Sequence, residues 1–180
     1  MLYCANLGDS RAVLARRSKN LWHSIALSSD HKPSDLLEKE RIIGHGGRVE
    51  SIIDQNGNHI GPMRVWSKME NYPGLAMSRS LGDQVAASVG VSQVPEIKEF
   101  TITNEDKMII IGIYLDKGVG SDGVWEFIRN NELVDLLAPF YDNFDLEGAC
   151  ESLLSYASNK WSVHSGIRDD ITFILIFMSY

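Results

Sequence analysis

The stretch KMIIIGIYLDKGVGSDGVWEF, residues 107–127, carries the strongest structural signal in the sequence. Its apolar run from Met108 to Ile111 predicts a buried β-strand, because strands covered on both faces read as nearly continuous apolar segments. Two acidic turns follow the strand, at Asp116 and at Asp122. Aspartate at a strand end is common turn chemistry, so the pattern alone leaves open which of the two has a chemical role.

The same arrangement, a carboxylate beside a small residue at the end of an apolar strand, occurs elsewhere in the chain. The aspartates concerned are Asp9, Asp122, Asp169 and Asp170, and Asp30 and Asp83 also follow mostly apolar segments. Sheets bring strand ends together, so such carboxylates can converge on one edge, where cations would offset their repulsion. Oxygen ligands without paired histidines or thiols favour magnesium or manganese over zinc or copper. For each aspartate taken alone, the alternative is a purely structural turn residue.

Composition and charge restrict the class of protein. The 180 residues are 44% hydrophobic and 23% charged, which is typical of one soluble domain with a sizeable core. A net charge of −7 does not favour binding to nucleic acid or to an anionic membrane. Two cysteines without a CxxC pair, and no visible targeting signal, predict a reduced protein of the cytoplasm or nucleus, which we expect to be a monomer.

The hydrophobic pattern predicts an α+β fold that is rich in strands. Residues 2–17 resemble a hairpin around a Gly-Asp-Ser turn, and Asn56–Gly57 suits the turn of a second hairpin. Residues 96–102 and 106–113 are predicted to be paired strands. The segment ITFILIFM, residues 171–178, is so uniformly apolar that we expect a strand that is central or covered on both faces.

Three helices are predicted by the periodicity of the apolar residues. The first lies between Pro33 and Gly44. By their spacing, one face of this helix is expected to consist of Leu36, Leu37, Glu40 and Ile43. Residues 130–141 and 145–162 form two further amphipathic segments, and Asp145 is a suitable N-cap for the second of them.

Six motifs follow one another along the chain: CANLGDSRAVL, DHKP with ExERI and GGRV, GLAMSRSLGD, VPEI, SDGVWEF and DDITFILI. With them the chain resembles the metal-dependent protein serine/threonine phosphatases of the PPM (PP2C-like) family over essentially its whole length. The resemblance is to the C-terminal two-thirds of that catalytic domain, so residues 1–180 are expected to be a partial PPM-type phosphatase domain.

The resemblance implies a fold, a reaction and a cofactor. The implied fold is a β-sandwich flanked by helices in α-β-β-α layers, with its N-terminal part missing from this chain. The implied reaction is hydrolysis of phosphoserine or phosphothreonine in phosphorylated protein substrates by a metal-activated water. The implied cofactor is a pair of Mg²⁺ or Mn²⁺ ions, with a third ion at a weaker site.

The metal ligands are also implied by the resemblance. Asp122 and Asp169 match the family's ligands for one of the paired ions. Asp9 matches a ligand of the third ion, which Asp122 would share. Glu126 stands where the family more often has aspartate, and it is one methylene longer.

Other motif residues have two interpretations each. Asp170 stands where the family commonly has asparagine, so we expect it to contact the metal ligands at most and not the metal itself. Arg79 and Asp83 belong to SRSLGD and could support the site, but a structural ion pair is the favoured role for Arg79. His31 could act as a general acid, although a solvated turn is the favoured interpretation. Trp125 is expected to pack in the core.

The family's N-terminal segment carries an Asp-Gly-His-Gly-Gly motif whose aspartate bridges both catalytic metals. That motif is not in the sequence, and GHGG at residues 44–47 lacks the aspartate. We therefore expect further sequence upstream of Met1, and poor catalysis by this chain without it. Two functions stay open, an active phosphatase and a catalytically inactive pseudophosphatase that binds phosphoproteins as a regulatory module.

The two acidic turns have an explanation within the family. There the apolar strand runs directly into Ser-Asp-Gly-x-Trp, which makes Asp122 the chemical aspartate and Asp116 additional. Residues 113–120 are then either a genuine insertion beside the metal site or the product of a retained intron or gene-model error.

Overall fold

The computed structural model describes residues 1–113, 123–164 and 170–180. In chain order its elements are β1 (Leu2–Asn6), β2 (Arg11–Ser18), β3 (Leu21–Ala26), α1 (Leu36–Gly44), β4 (Arg48–Ile53), β5 (His59–Trp66), β6 (Pro73–Leu75), α2 (Gln84–Ser88), β7 (Glu96–Phe100), β8 (Asp106–Ile113), α3 (Asn130–Tyr141), α4 (Leu146–His164) and β9 (Thr172–Phe177). They form two compact units. Unit 1 is Met1–Cys4, Ser10–Ser29 and Ile97–Tyr180, and unit 2 is Ala5–Asp9 and Asp30–Glu96. Among the helices in the described ranges, none is long and apolar enough to cross a membrane.

Unit 1 is built on a four-stranded antiparallel sheet in the order β3-β2-β8-β9. The inner strands β2 and β8 place Leu14 opposite Ile109 and Val13 opposite Ile110. Both faces of these two strands carry buried residues, which accounts for their nearly continuous apolar sequence. The buried strand predicted from Met108 to Ile111 is confirmed.

The helices α3 and α4 cover one face of this sheet. Leu133 and Leu153 are fully buried in one cluster with Ile110. At the start of α4, the Asp145 carboxylate accepts a hydrogen bond of 2.9 Å from the backbone N–H of Gly148. The predicted N-cap is therefore confirmed.

The other face of the sheet is covered by β1 and β7, which pair with each other. Leu2, Cys4 and Phe100 pack there in one cluster with Leu14 and Ile109. The predicted pairings of β1 with β2 and of β7 with β8 are therefore wrong, although the strands exist. Burial alternates along β1 and β7, so each has one face for the core, whereas β2 is buried on both. The Gly-Asp-Ser turn thus connects two sheets.

The last strand, β9, lies at the edge of the four-stranded sheet as described, paired with β8. Leu175 faces the helix-covered core, but Ile174 and Ile176 are exposed on the opposite face. The expectation of a strand that is central or covered on both faces is wrong for the described residues. A continuous apolar run cannot distinguish an edge strand from a central one, because it does not reveal how many neighbours the strand has.

An ion pair between the partly exposed Arg16 and a buried carboxylate joins β2 to the start of β8. The Asp106 side chain is fully buried and accepts hydrogen bonds of 2.7 and 3.1 Å from Nε and Nη2 of Arg16. The backbone N–H of Thr103 donates a third, of 2.7 Å. Burial acts to raise the pKa of Asp106, but these hydrogen bonds outweigh it and hold the pKa below its usual value.

Unit 2 contains the antiparallel sheet β4-β5-β6 together with α1 and α2. Its core is a cluster of small and medium apolar residues: Ile42, Val49, Val65, Ala86, Val89 and Val91. The predicted hairpin around Asn56–Gly57 is confirmed, and Gly57 adopts a φ of +83°. The Asp54 carboxylate stabilises the turn by accepting hydrogen bonds of 2.8 Å from the backbone N–H groups of Asn56 and Asn58.

The helix α1 ends at Gly44 as predicted but buries a different face. Leu36 and Leu37 are 68% and 73% exposed, and Ile43 is exposed as well. The buried residues are Glu38 and Ile42. The predicted face is therefore wrong, because a pattern of apolar residues cannot anticipate that a glutamate is the buried one.

Candidate functional site

The predicted ligand Asp9 lies in a buried turn of unit 2. Its residue is only 2% exposed, and its Oδ2 accepts a hydrogen bond of 2.7 Å from Nζ of Lys32. The preceding Gly8 has a φ of +113°, a conformation that glycine adopts without steric cost. Lys32 offsets the negative charge of Asp9, so the turn can hold an ionised carboxylate away from bulk water. Sequence reasoning missed Lys32, although it stands within the DHKP motif.

His31 stabilises the same turn through two hydrogen bonds to Gly8. Its backbone N–H donates to the Gly8 carbonyl at 3.0 Å, and its Nδ1 accepts from the Gly8 N–H at 3.1 Å. The residue is 4% exposed, which contradicts the interpretation as a solvated turn. Burial, and next the positive charge of Arg79, lower the pKa of His31. His31 is therefore a neutral, buried partner of the turn that carries Asp9.

Arg79 forms an ion pair with Glu38 inside unit 2. Nη2 of Arg79 lies 2.6 Å from Oε1 of Glu38, and its Nε lies 3.1 Å from both carboxylate oxygens. Oε2 of Glu38 also accepts hydrogen bonds from Nη2 of Arg41 at 2.7 Å and from the Ser78 hydroxyl at 2.6 Å. This geometry is the structural ion pair favoured for Arg79 by the sequence.

Glu38 begins the ExERI motif, but the sequence analysis assigned it no role. Burial acts to raise the pKa of Glu38, but the hydrogen bonds from Arg79, Arg41 and Ser78 outweigh it and hold the pKa far below its usual value. A signal was available, since Glu38 is spaced three residues from Arg41 and four from Ile42, positions that share a helical face.

Asp83 has a local structural contact. Its carboxylate accepts a hydrogen bond of 2.9 Å from the N–H of Ala86 and caps the N-terminus of α2. The need for an N-cap at the start of α2 therefore explains why SRSLGD ends in aspartate.

In unit 1, the structure describes Gly123 and Asp170, the residues that directly follow the predicted ligands Asp122 and Asp169. Asp122 and Asp169 lie outside the described residues. Gly123, which follows Asp122, has a φ of +46°, and a methyl group placed on it would lie 3.1 Å from the carbonyl oxygen of Asp170. The SDGVWEF and DDITFILI motifs thus meet within unit 1 through their backbones.

The side chains that follow Gly123 divide between the core and the surface. Trp125 is buried in the core as predicted, whereas Glu126 is exposed. The indole N–H of Trp161 donates a hydrogen bond of 2.6 Å to the Gly123 carbonyl and ties this segment to α4. The Asp170 residue is exposed.

The donor chemistry of the predicted ligands fits a hard divalent cation. Asp9, Glu126, Asp122 and Asp169 offer only carboxylate oxygens, which suit Mg²⁺ or Mn²⁺. Within the ranges that the structure describes, no group of three or more histidine, cysteine, aspartate or glutamate residues is close enough to hold a metal ion.

Comparison with solved structures shows the fold. A crystal structure of a serine-threonine phosphatase 2C from Toxoplasma gondii aligns with a TM-score of 0.78 at 21% identity, covering 97% of this chain and 54% of that one. A second crystal structure, of a phosphatase from a pathogenic strain of Toxoplasma gondii, aligns with a TM-score of 0.69 at 26% identity. It covers 99% of this chain and 49% of the other. The mixed α/β architecture is that of the PP2C phosphatases.

Sequence comparison shows the family. The model of the protein phosphatase 2C family matches residues 1–166. The "Probable protein phosphatase 2C 34" of Arabidopsis thaliana is 37% identical over 98% of this chain and 46% of its own length. The "Probable protein phosphatase 2C 12" of Oryza sativa subsp. japonica is 42% identical over 98% of this chain and 42% of its own length. The chain thus spans less than half the length of these relatives, and it belongs to the protein phosphatase 2C family.

Proposed function

We propose that this chain is part of a metal-dependent protein serine/threonine phosphatase that hydrolyses phosphoserine and phosphothreonine in protein substrates with a metal-activated water. One observation carries the proposal: the backbones of Gly123 and Asp170 lie so close together that a methyl group placed on Gly123 would stand 3.1 Å from the Asp170 carbonyl oxygen. These residues directly follow Asp122 and Asp169, so this proximity joins the two motifs that carry the proposed ligands of one metal ion. Membership in the protein phosphatase 2C family supports the same reaction.

The proposed roles divide among four carboxylates. Asp122 and Asp169 would bind one of the paired Mg²⁺ or Mn²⁺ ions. Asp9 would bind a third, weaker ion that Asp122 would share. Glu126, one methylene longer than the aspartate more common in the family, is proposed to lie near that ion. When bound, the metal would lower the pKa of a water molecule and neutralise charge on the transferring phosphoryl group. Lys32 contributes the ion pair of 2.7 Å that holds the buried Asp9 side chain in one place.

The proposed architecture follows from unit 1. One helix layer, α3 with α4, and two sheets already form three successive layers there. We propose that residues 1–180 are part of one phosphatase domain with α-β-β-α layers. The domain would act as a monomer on phosphoproteins in the cytoplasm or nucleus, without binding nucleic acid or a membrane.

The test measures phosphate release from a phosphothreonine peptide. On the same preparation, calorimetry measures the binding of Mn²⁺ and of that peptide. We expect slow phosphate release, because the Asp-Gly-His-Gly-Gly motif is not in this sequence, and we expect that release to depend on Mn²⁺ and to fall to background in Asp122→Asn and Asp169→Asn. Mn²⁺ affinity should fall by about tenfold or more in both variants, because each removes a ligand. Glu40→Gln is the matched control, since Glu40 is an exposed carboxylate on α1 and should change neither quantity.

The outcomes separate the two functions that the sequence leaves open. Phosphate release that survives both substitutions would contradict the assigned ligands. Binding of Mn²⁺ and of the phosphopeptide without hydrolysis would favour the inactive phosphoprotein-binding module over the enzyme.

A further inference from the structure

His31 is bonded to both sides of Gly8, the residue before Asp9. A peptide unit is planar, so fixing its N–H or its C=O fixes the whole plane. Nδ1 of His31 accepts from the Gly8 N–H at 3.1 Å and fixes the plane before Gly8. The backbone N–H of His31 donates to the Gly8 carbonyl at 3.0 Å and fixes the plane between Gly8 and Asp9.

Both planes need this support because Gly8 is conformationally permissive. Glycine at a φ of +113° has neighbouring minima that other residues lack, and each would point the following side chain in a different direction. A different residue at position 31 could still form the bond from its backbone N–H to the Gly8 carbonyl, but only that one. The bond to the Gly8 N–H requires a side-chain acceptor.

The other ring nitrogen shows what histidine provides here. Because Nδ1 accepts a hydrogen bond in the neutral ring, the proton resides on Nε2. Nε2 is buried and has no hydrogen-bond partner in the part of the chain that the structure describes. An apolar ring of similar size would fill this space without burying an unpaired N–H. The advantage of histidine over such a ring is therefore the Nδ1 acceptor.

The His31 backbone is in turn attached to the core of unit 2. Its carbonyl accepts a hydrogen bond of 2.8 Å from the N–H of Ser78, and the Ser78 hydroxyl donates to Glu38 at 2.6 Å. A continuous series of bonds thus runs from α1 through Ser78 and His31 to the turn of Asp9.

We propose that His31 is a positioning residue for divalent-metal binding, because its Nδ1 fixes the Gly8 peptide and thereby the direction of the Asp9 carboxylate. The inference rests on the proposed function, in which Asp9 ligates a metal ion. It adds a residue that touches neither metal nor substrate.

The test compares two substitutions that separate acceptor geometry from packing. In His31→Asn the side-chain amide can place an acceptor at the position of Nδ1, but the residue is smaller. His31→Gln fills the space better and moves the amide one bond further out. A packing role predicts that the glutamine variant is the milder one, whereas the positioning role predicts the opposite.

Two quantities are measured in the full chain by NMR: hydrogen exchange of the Gly8 amide, and broadening of the Asp9 and Ser10 amide signals during a Mn²⁺ titration. We expect His31→Asn to resemble the parent. We expect His31→Gln to lose protection of the Gly8 amide against hydrogen exchange. The same broadening of the Asp9 and Ser10 signals should then require at least about tenfold more Mn²⁺. His23→Gln, an exposed histidine of β3, is the matched control.

A double-mutant cycle gives a readout that loss of stability alone would not. The effect of His31→Gln on the Mn²⁺ titration should disappear in an Asp9→Asn background, because there is then no carboxylate to position. Equal Mn²⁺ requirements for the parent and His31→Gln would overturn the inference and leave the proposed function intact. If the parent does not bind Mn²⁺ at all, the proposed function fails and the inference fails with it.

Discussion

The substitution Glu38→Gln tests the ion-pair cluster that organises unit 2. It removes the negative charge while Arg79, Arg41 and Ser78 stay in place around the former carboxylate. Removing one partner of a buried ion pair typically costs about 3–5 kcal/mol. The side chains of Arg79 and Arg41 are 21% and 26% exposed, so water can partly rehydrate them and the cost should fall at the lower end, about 3 kcal/mol.

A cost of that size should be easy to measure. For a chain of this length, each kcal/mol shifts the melting temperature by about 2–4 °C, so Glu38→Gln should lower it by about 6–12 °C. Circular dichroism during heating measures the shift, and the exposed Glu40→Gln on the same helix should leave the melting temperature within about 1 °C of the parent. If Glu38→Gln melts together with Glu40→Gln, the cluster does not stabilise the fold and the argument from burial is wrong.

Two further predictions concern unit 1. The folded-state pKa of Asp106 is lowered because its hydrogen bonds with Arg16 outweigh burial, so its contribution is present above the unfolded value of 3.8 and disappears as the pH falls below it. Denaturant titrations between pH 6 and pH 3 should therefore show a smaller acid-induced loss of stability in Asp106→Asn than in the parent, and parallel curves would contradict this. Gly112→Ala should destabilise by about 1–3 kcal/mol because its methyl group would collide with the Trp125 indole, whereas Gly44→Ala has no atom within 4 Å to meet. Equal melting temperatures for the two alanine variants would refute the close packing at Gly112.

Local signals in the sequence predicted the elements whose cause is local. The Asn56–Gly57 turn forms because glycine tolerates a φ of +83°, and the N-cap at Asp145 forms because its carboxylate reaches an N–H three residues ahead. The end of α1 at Gly44 and the buried strand from Met108 follow from the same kind of short-range pattern.

Predictions failed where the answer depended on residues far apart in the chain. β1 pairs with β7, some ninety residues away, because its single apolar face is needed to cover the sheet that contains β2. The buried position of His31 depends on Gly8, twenty-three residues before it. Glu38 is buried because Arg79 arrives from forty-one residues further along the chain and compensates its charge.

The sequence by itself determined the family, the kinds of elements and the carboxylates that are proposed to bind metal, because ordered motifs and short-range periodicity are properties of the chain itself. Only the tertiary structure decided which strands pair, which face of α1 is buried and how the turn of Asp9 is held. Those outcomes depend on partners that folding brings together across long stretches of chain, and on charges such as Glu38 that can be buried only once their partners are in place.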